Sequence, residues 1–202
     1  AGVLLPLLTV KFAVFMPAHV GERQAAAAGL QRIFAGMWLH EMPVPPRALL
    51  MDRAQVASSL DDATTRLASL GAEPLRTAVL LPEGAAAAAG VQPVAGPPGK
   101  ALVRRISPER ISVEVSANTS AILEVSEHYD PGWRARVDGK DEQVVEVDCA
   151  LLGVPVPQGR HSVELRFWPP GFTAGLICAA ATLALLAVAG RLRRVLTARS
   201  AR

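Results

Sequence analysis

The chain has 202 residues, enough for one good core or a small domain with appendages. Half of it is hydrophobic but only 4% is aromatic, and five of the 21 basic residues crowd into the last twelve positions, leaving sixteen basic against eighteen acidic side chains elsewhere. The basic pI of 9.3 therefore belongs to the tail, and a nucleic-acid partner, which needs a basic face on the folded part, is not expected.

The first stretch, "AGVLLPLLTVKFAVFMPA", is apolar but broken by Pro6 and Lys11, with no basic run ahead of it. It predicts neither a signal peptide nor a span, and "TVKFAVF" predicts a buried strand. Without an initiator Met, the chain is expected to begin inside something larger. Residues 22–39 mix helix formers with glycines and specify little. Prolines make "HEMPVPPRALLM" extended, with "RALLM" closing as a strand. "SSLDDATTRLASLG" predicts a short helix capped by Ser59 or Asp61, with Leu60, Leu67 and Leu70 on one side and Gly71 as its stop. "RTAVLLPEG" predicts another strand. Residues 85–100, "AAAAAGVQPVAGPPGK", have the Ala/Gly/Pro composition of a linker, so residues 1–84 are expected to form a small α/β front piece.

Over residues 101–168 the period is two. In "RISVEVSA", Ile111, Val113 and Val115 alternate with polar residues; in "SAILEVSE", Leu123 and Val125 are set against Glu124 and Ser126. "GWRARVDGK" alternates Trp133, Ala135 and Val137 with Arg134, Arg136 and Asp138. Asp138-Gly139 is a type I′ hairpin signal, with "QVVEVD" expected as the return strand. "LLGVPV" and then "RHSVELRFW" follow, the second placing Val163, Leu165 and Phe167 on one face. Short strands with turns this frequent predict an antiparallel β-sandwich.

From Phe167 to Gly190 no residue is charged. Pro169 and Pro170 suit a helix entrance, and Phe167 and Trp168 suit an interfacial aromatic belt. Residues 169–190 are therefore expected to cross a lipid bilayer, and the arginines of residues 191–202 to lie in the cytoplasm, with the body outside. The alternative is a buried helix in a soluble core. The chain is thus α+β in class: an α/β front piece, a sandwich and one C-terminal transmembrane helix. Cys149 in the body and Cys178 in the span cannot easily meet, so no disulfide is expected. His19, His40, His128 and His161 have no ligand spacing, so neither a metal nor a cofactor is expected.

"YDPGWRARVDGK" followed by "LLGVPVPQGRHSVELRFWPPGFTAG" resembles the C-terminal extracytoplasmic region of YfhO-like bacterial membrane proteins, of the polytopic group of glycosyltransferases that use polyprenyl-phosphate-linked sugars. Tyr129, Pro131, Gly132, Trp133, Val137 to Lys140, Gly153 to Pro157, Gly159, His161, Val163, Glu164 and Pro169 carry the likeness; the front piece is similar more loosely. The resemblance implies a bacterial cytoplasmic-membrane protein whose catalytic acidic residue lies in an earlier loop. No position here matches that loop, so no catalytic residue is assigned. It implies a non-catalytic domain that shapes the outer face of the site or contacts the acceptor glycan. Its partners are then the bilayer and, through the parent protein, a glycan or a polyprenyl-phosphate sugar. The alternative is a membrane-anchored sandwich that binds cell-envelope polymer or a partner protein without enzymatic activity.

The residues with a claim to glycan contact are Tyr129, His128, Asp130 and Arg134, an aromatic face beside hydrogen-bonding groups. Trp133 is in phase with Ala135 and Val137 and is expected to point inward. Asp138, Asp141 and Glu142 bunch at a solvated turn, where nothing would raise a carboxyl pKa for acid–base work. Arg134, Arg136 and Asp138 are expected to face solvent opposite positions such as Glu146. "NTS" at 118–120 is expected to be a polar turn rather than a glycosylation acceptor.

Overall fold

The computed structural model describes residues 12–15, 31–32, 38–41, 46–70 and 76–200. The chain divides into two compact units, Ala1–Arg166 and Phe167–Arg202.

In the first unit, β1 (Phe12–Phe15), β2 (Gln31–Arg32) and β3 (Trp38–Glu41) form an antiparallel sheet in the order β1-β3-β2. The expected stop at Gly71 lies outside the described residues. Next come β4 (Ala48–Met51) and β5 (Arg53–Val56), separated only by Asp52. Helix α1 (Leu60–Ser69) then carries the chain to β6 (Thr77–Leu80), which pairs parallel with β5. This is a βαβ crossover, the α/β character expected of the front. The Ser59 hydroxyl caps α1 by accepting from Asp62 N at 3.2 Å. Ala63 and Leu67 are buried. Leu60, as the first helical residue, stands nearly two turns before Leu67 and stays exposed, contrary to the expected face.

The β-rich part contains β7 (Gly99–Ser107), β8 (Arg110–Ala117), β9 (Ala121–His128), β10 (Trp133–Val137), β11 (Lys140–Glu142), β12 (Val145–Val147), β13 (Leu151–Val156) and β14 (Gly159–Phe167). One sheet has the order β11-β10-β14-β8-β7. The other, β4-β9-β13-β12-β6-β5, takes three strands from the front piece. Ile111, Val113, Val115, Trp133, Ala135, Val163 and Leu165 are buried in the first, each alternating with a polar or exposed neighbour. Leu50, Leu123, Val125, Leu152 and Val154 are buried in the second. The two approach closely at Gly99, whose φ of +140° only glycine holds easily; a Cβ there would meet Ser116 O at 2.2 Å and Leu50 Cδ1 at 2.8 Å.

The second sheet is covered on its other face by helices. A buried cluster joins Ala63 and Leu67 of α1 to Met51, Leu80, Ile122 and Val147, together with Ala87 from α2 (Ala85–Ala89). A strand covered on both faces is buried throughout. That is why Ala121 to Val125 are all buried, and why Glu124, expected to face outward, is only 1% exposed.

Two further expectations change. The return strand after Asp138-Gly139 is Lys140–Glu142, not "QVVEVD": Val145–Val147 crosses to the other sheet, where Val145 and Val147 are buried beside β13 and β6. Glu146 therefore stands in the other sheet from Arg136, whose partner is Asp141 at 2.8 Å. Nor is 85–100 a linker. Residues 85–89 are helical with Ala87 buried, and 91–98 is stitched down. Gln92 N donates to Ser120 O at 3.0 Å and Thr119 Oγ1 to Gln92 O at 2.7 Å; Asn118 reaches Pro97 O and Pro98 O at 3.0 and 2.8 Å. Composition suited a tether, but these polar backbone groups found partners on the β8–β9 turn.

In the second unit, α3 (Phe172–Ser200) is helical through the arginine-rich tail. Phe172–Gly190, 19 residues of mean hydropathy 2.2 with none buried, is long and apolar enough to cross a membrane. Trp168 stacks edge-on against Phe172, centroids 5.2 Å apart, and donates from Nε1 to Thr173 Oγ1 at 3.1 Å.

Candidate functional site

The hairpin region 127–140 does not gather the four expected contact residues. His128, exposed, ends β9 opposite Leu151; half-buried Tyr129 follows and donates its backbone N–H to Ala150 O at 2.7 Å. Asp130 serves its own turn: Oδ1 accepts from Gly132 N at 2.7 Å and its carbonyl accepts from Trp133 N at 3.0 Å. Arg134 is exposed on β10 in the other sheet, and Trp133 beside it is buried. No hydrogen bond or ion pair joins any two of the four.

The hairpin tip is locked instead to β14. Asp138 (φ 51°) and Gly139 (φ 80°) make the left-handed pair that a type I′ turn requires. Asp138 Oδ1 accepts from Ser162 N at 2.9 Å, and Oδ2 lies 2.7 Å from His161 Nδ1. His161 Nε2 faces Gln158 O at 3.3 Å, over Gly159, where a Cβ would come within 3.0 Å of that nitrogen. Both ring nitrogens face acceptors, an arrangement that favours the protonated ring, which alone can donate to both. The Val-Asp-Gly-Lys and Gly-x-His motifs are two halves of one lock.

The bond to Asp138 holds the His161 pKa above the usual imidazole value, while His161 and the Ser162 N–H hold Asp138 below the carboxylate range. The raised histidine contributes stability fully present below its unfolded pKa and lost as pH rises through the folded one; the depressed aspartate contributes above its unfolded pKa and loses it as pH falls through the folded one. The stabilisation is thus full between the two unfolded-state values, fades beyond them and is lost past the folded-state ones. We expect the melting temperature advantage of wild type over His161→Gln to shrink as pH rises from about 5.5 to about 8.5; a difference independent of pH would refute the lock.

Beside it, on the outer face of the five-stranded sheet, lies a shallow groove of about 680 Å³ lined chiefly by Lys100, Leu102, Glu114, Ser116, Arg160, His161 and Ser162. The antiparallel register sets Lys100, Ser116 and Arg160 in one row and Leu102, Glu114 and Ser162 in the next. Glu114 is drawn to Arg104 at 3.5 Å. The remaining donors and the exposed Leu102 can meet hydroxyls and an apolar ring face, which is binding chemistry.

Sequence reasoning missed the most unusual charged pair. Glu124 on β9 and Asp148 after β12 are 1% and 4% exposed. Asp148 Oδ1 accepts from Val79 N at 2.8 Å, and Asp148 N donates to Val79 O at 2.8 Å. Glu124 Oε2 and Asp148 Oδ2 meet no N–H or O–H donor among the described residues. Burial first, then the charge of Asp148 and a bond to it, raises Glu124 well above the carboxylate range; burial also raises Asp148, against the bonds from Glu124 and Val79. The available signal was the run Ala-Ile-Leu-Glu-Val, which reads as a strand buried on both faces.

Residues 100–179 match the family model described as "Bacterial membrane protein YfhO". A 60-residue stretch is 33% identical to "Uncharacterized protein YfhO" of Bacillus subtilis (strain 168), covering 30% of this chain and 7% of that relative. The chain thus aligns with only a small part of the relative's length. No solved structure matches. The match runs from β7 into α3, so this stretch is a YfhO-like membrane-protein region, and the apolar helix accords with membrane localisation.

Proposed function

We propose that the chain is an extracytoplasmic domain and its following membrane helix from a membrane glycosyltransferase of YfhO type. The domain does no chemistry itself: it shapes the outer face of the transfer site and contacts the acceptor glycan. The observation that carries this reading is the short passage from sandwich to membrane. β14 ends at Phe167 and the apolar helix begins at Phe172, so the sandwich is tethered within a few residues of the bilayer. A cytoplasmic C-terminal side with the body outside is the orientation that the arginine tail supports under the positive-inside rule. Exposed Arg134 and the Lys100–Ser116–Arg160 row, on one sheet, supply one set of contact groups, and Tyr129 with exposed His128, at the end of β9 in the other sheet, supplies a separate one.

The test is sugar transfer by the full-length parent carrying Tyr129→Ala or Lys100→Ala/Arg160→Ala. Removal of binding that is equal in ground and transition states raises KM for the acceptor with kcat kept, and we expect a rise of roughly fivefold to tenfold, equivalent to about one lost hydrogen bond or stacking contact. Unchanged acceptor KM in both variants would sink the contact role. Retained transfer with lost binding of envelope polymer would favour the non-enzymatic alternative.

A further inference from the structure

We propose that Glu124 and Asp148 share one proton, a carboxylic acid donating to a carboxylate, and that this pair is a pH-sensitive latch on the β6–β12 junction. Two fully charged carboxylates at 1% and 4% exposure would repel each other without water, and no donor among the described residues reaches Glu124 Oε2 or Asp148 Oδ2. A single proton between them resolves both deficits, since one carboxyl becomes the donor that the other lacks.

Among the described residues, no cation is hydrogen-bonded to Glu124 Oε2 or Asp148 Oδ2 in place of the proton. β4, β13 and α2 carry no ionisable side chain, and Gly153, directly across β13 from Glu124, has none at all. α1 brings Asp61, Asp62 and Arg66, with Arg66 bonded to Asp62 at 2.8 Å. Arg76 before β6 is bonded to Asp52, and Glu127 at the end of β9 pairs with Arg47 at 3.5 Å. Arg53 on β5, Glu83 before α2 and the exposed His128, which ends β9 opposite Leu151, complete the charged and titratable groups of the neighbouring elements among the described residues. β12 adds Glu146, and the turn adds Cys149, whose thiol is pushed up by burial and then by Asp148 and Glu146. The groups flanking Asp148 in sequence therefore add no cation.

The latch is coupled to backbone. Asp148 (φ 51°) and Cys149 (φ 69°) hold left-handed conformations, which non-glycine residues keep only when surrounding bonds fix them. Those bonds are the reciprocal pair between Asp148 and Val79. A raised folded-state pKa gives stability fully present below the unfolded pKa and lost as pH rises through the folded one. Alkalinisation thus deprotonates the pair and loosens β12 from β6, beside the half-buried Cys149.

The experiment is hydrogen exchange on the full chain in lipid nanodiscs, read at the Val79 and Asp148 amides, with Val113 and Val163 in the other sheet as reference. After correction for intrinsic base catalysis, protection at the junction falls as pH rises above the ordinary glutamate range, by up to about tenfold per pH unit, while the reference stays level. Glu124→Gln keeps a donor for Asp148 but cannot ionise, and its junction protection varies less than about twofold over the same range. A carboxylic-acid infrared band persists at neutral pH in wild type and is missing from Glu124→Gln. A wild-type junction that tracks the reference overturns the proposal, whether or not the variant folds. So does a folded Glu124→Gln that keeps the wild-type slope or the infrared band.

Discussion

Asp52→Ala is expected to lower the melting temperature of the full chain in micelles by about 6–12 °C, from a loss of about 3 kcal/mol. The Asp52 side chain is fully buried at the joint between β4 and β5. Its carboxylate accepts from Arg76 Nε at 2.9 Å, from Arg76 Nη2 and from Val94 N at 3.0 Å, while Arg76 Nη2 also donates to Val94 O at 3.0 Å. One carboxylate thus ties the β4–β5 joint, the start of β6 and the 91–98 strap. Truncation removes the guanidinium's ion-pair partner at 29% exposure and strands the Val94 N–H, and stranding partners costs more than the net worth of the pair.

Burial pushes Asp52 up, but the bonds from Arg76 and Val94 together outweigh it and hold the carboxyl below the usual range. Its contribution is therefore present above the unfolded pKa and lost as pH falls through the folded one, so the variant should also lose part of the wild-type acid limb. Subtilisin should cut the strap near Val91–Pro98 faster in the variant. A midpoint within about 2 °C of wild type, less than one kcal/mol for a chain of this size, together with unchanged cleavage, would show that Asp52 does not hold the strap.

The same cluster shows what the sequence could convey. Strand positions in "RISVEVSA" and "WRARV" were readable because each has one buried face, so period two maps directly onto inside and outside. "AILEV" was not, because coverage of its second face comes from α1 and α2, elements distant in sequence. The strap failed for the opposite reason: Ala/Gly/Pro composition reports local preference, whereas Asp52, Arg76, Asn118 and Thr119 recruit it through long-range bonds. At the candidate site, the Asp138-Gly139 turn was legible from local backbone chemistry. The role of His161 was not, since its aspartate lies 23 residues away in the chain, with β11, β12 and β13 between them.

Trp133→Ala is expected to cost about 3–5 kcal/mol, a large share of the roughly 5–15 kcal/mol that holds a domain of this kind together. Trp133 opens β10 on the inner face with Ala135 and Val137, all three buried, beside a strand that buries Val163 and Leu165. These neighbours are small or medium-sized and held by sheet register, so the space vacated by the indole cannot collapse without breaking the pairing. Trp133→Phe, which refills most of that volume, should recover more than half of the loss. The order Ala below Phe below wild type in melting temperature is what a packing role requires. An aromatic that served a sugar ring would give another order: a Trp133→Ala chain with the wild-type midpoint, and a defect seen only in glycan contact. Observing that second pattern would move Trp133 from the core to the ligand.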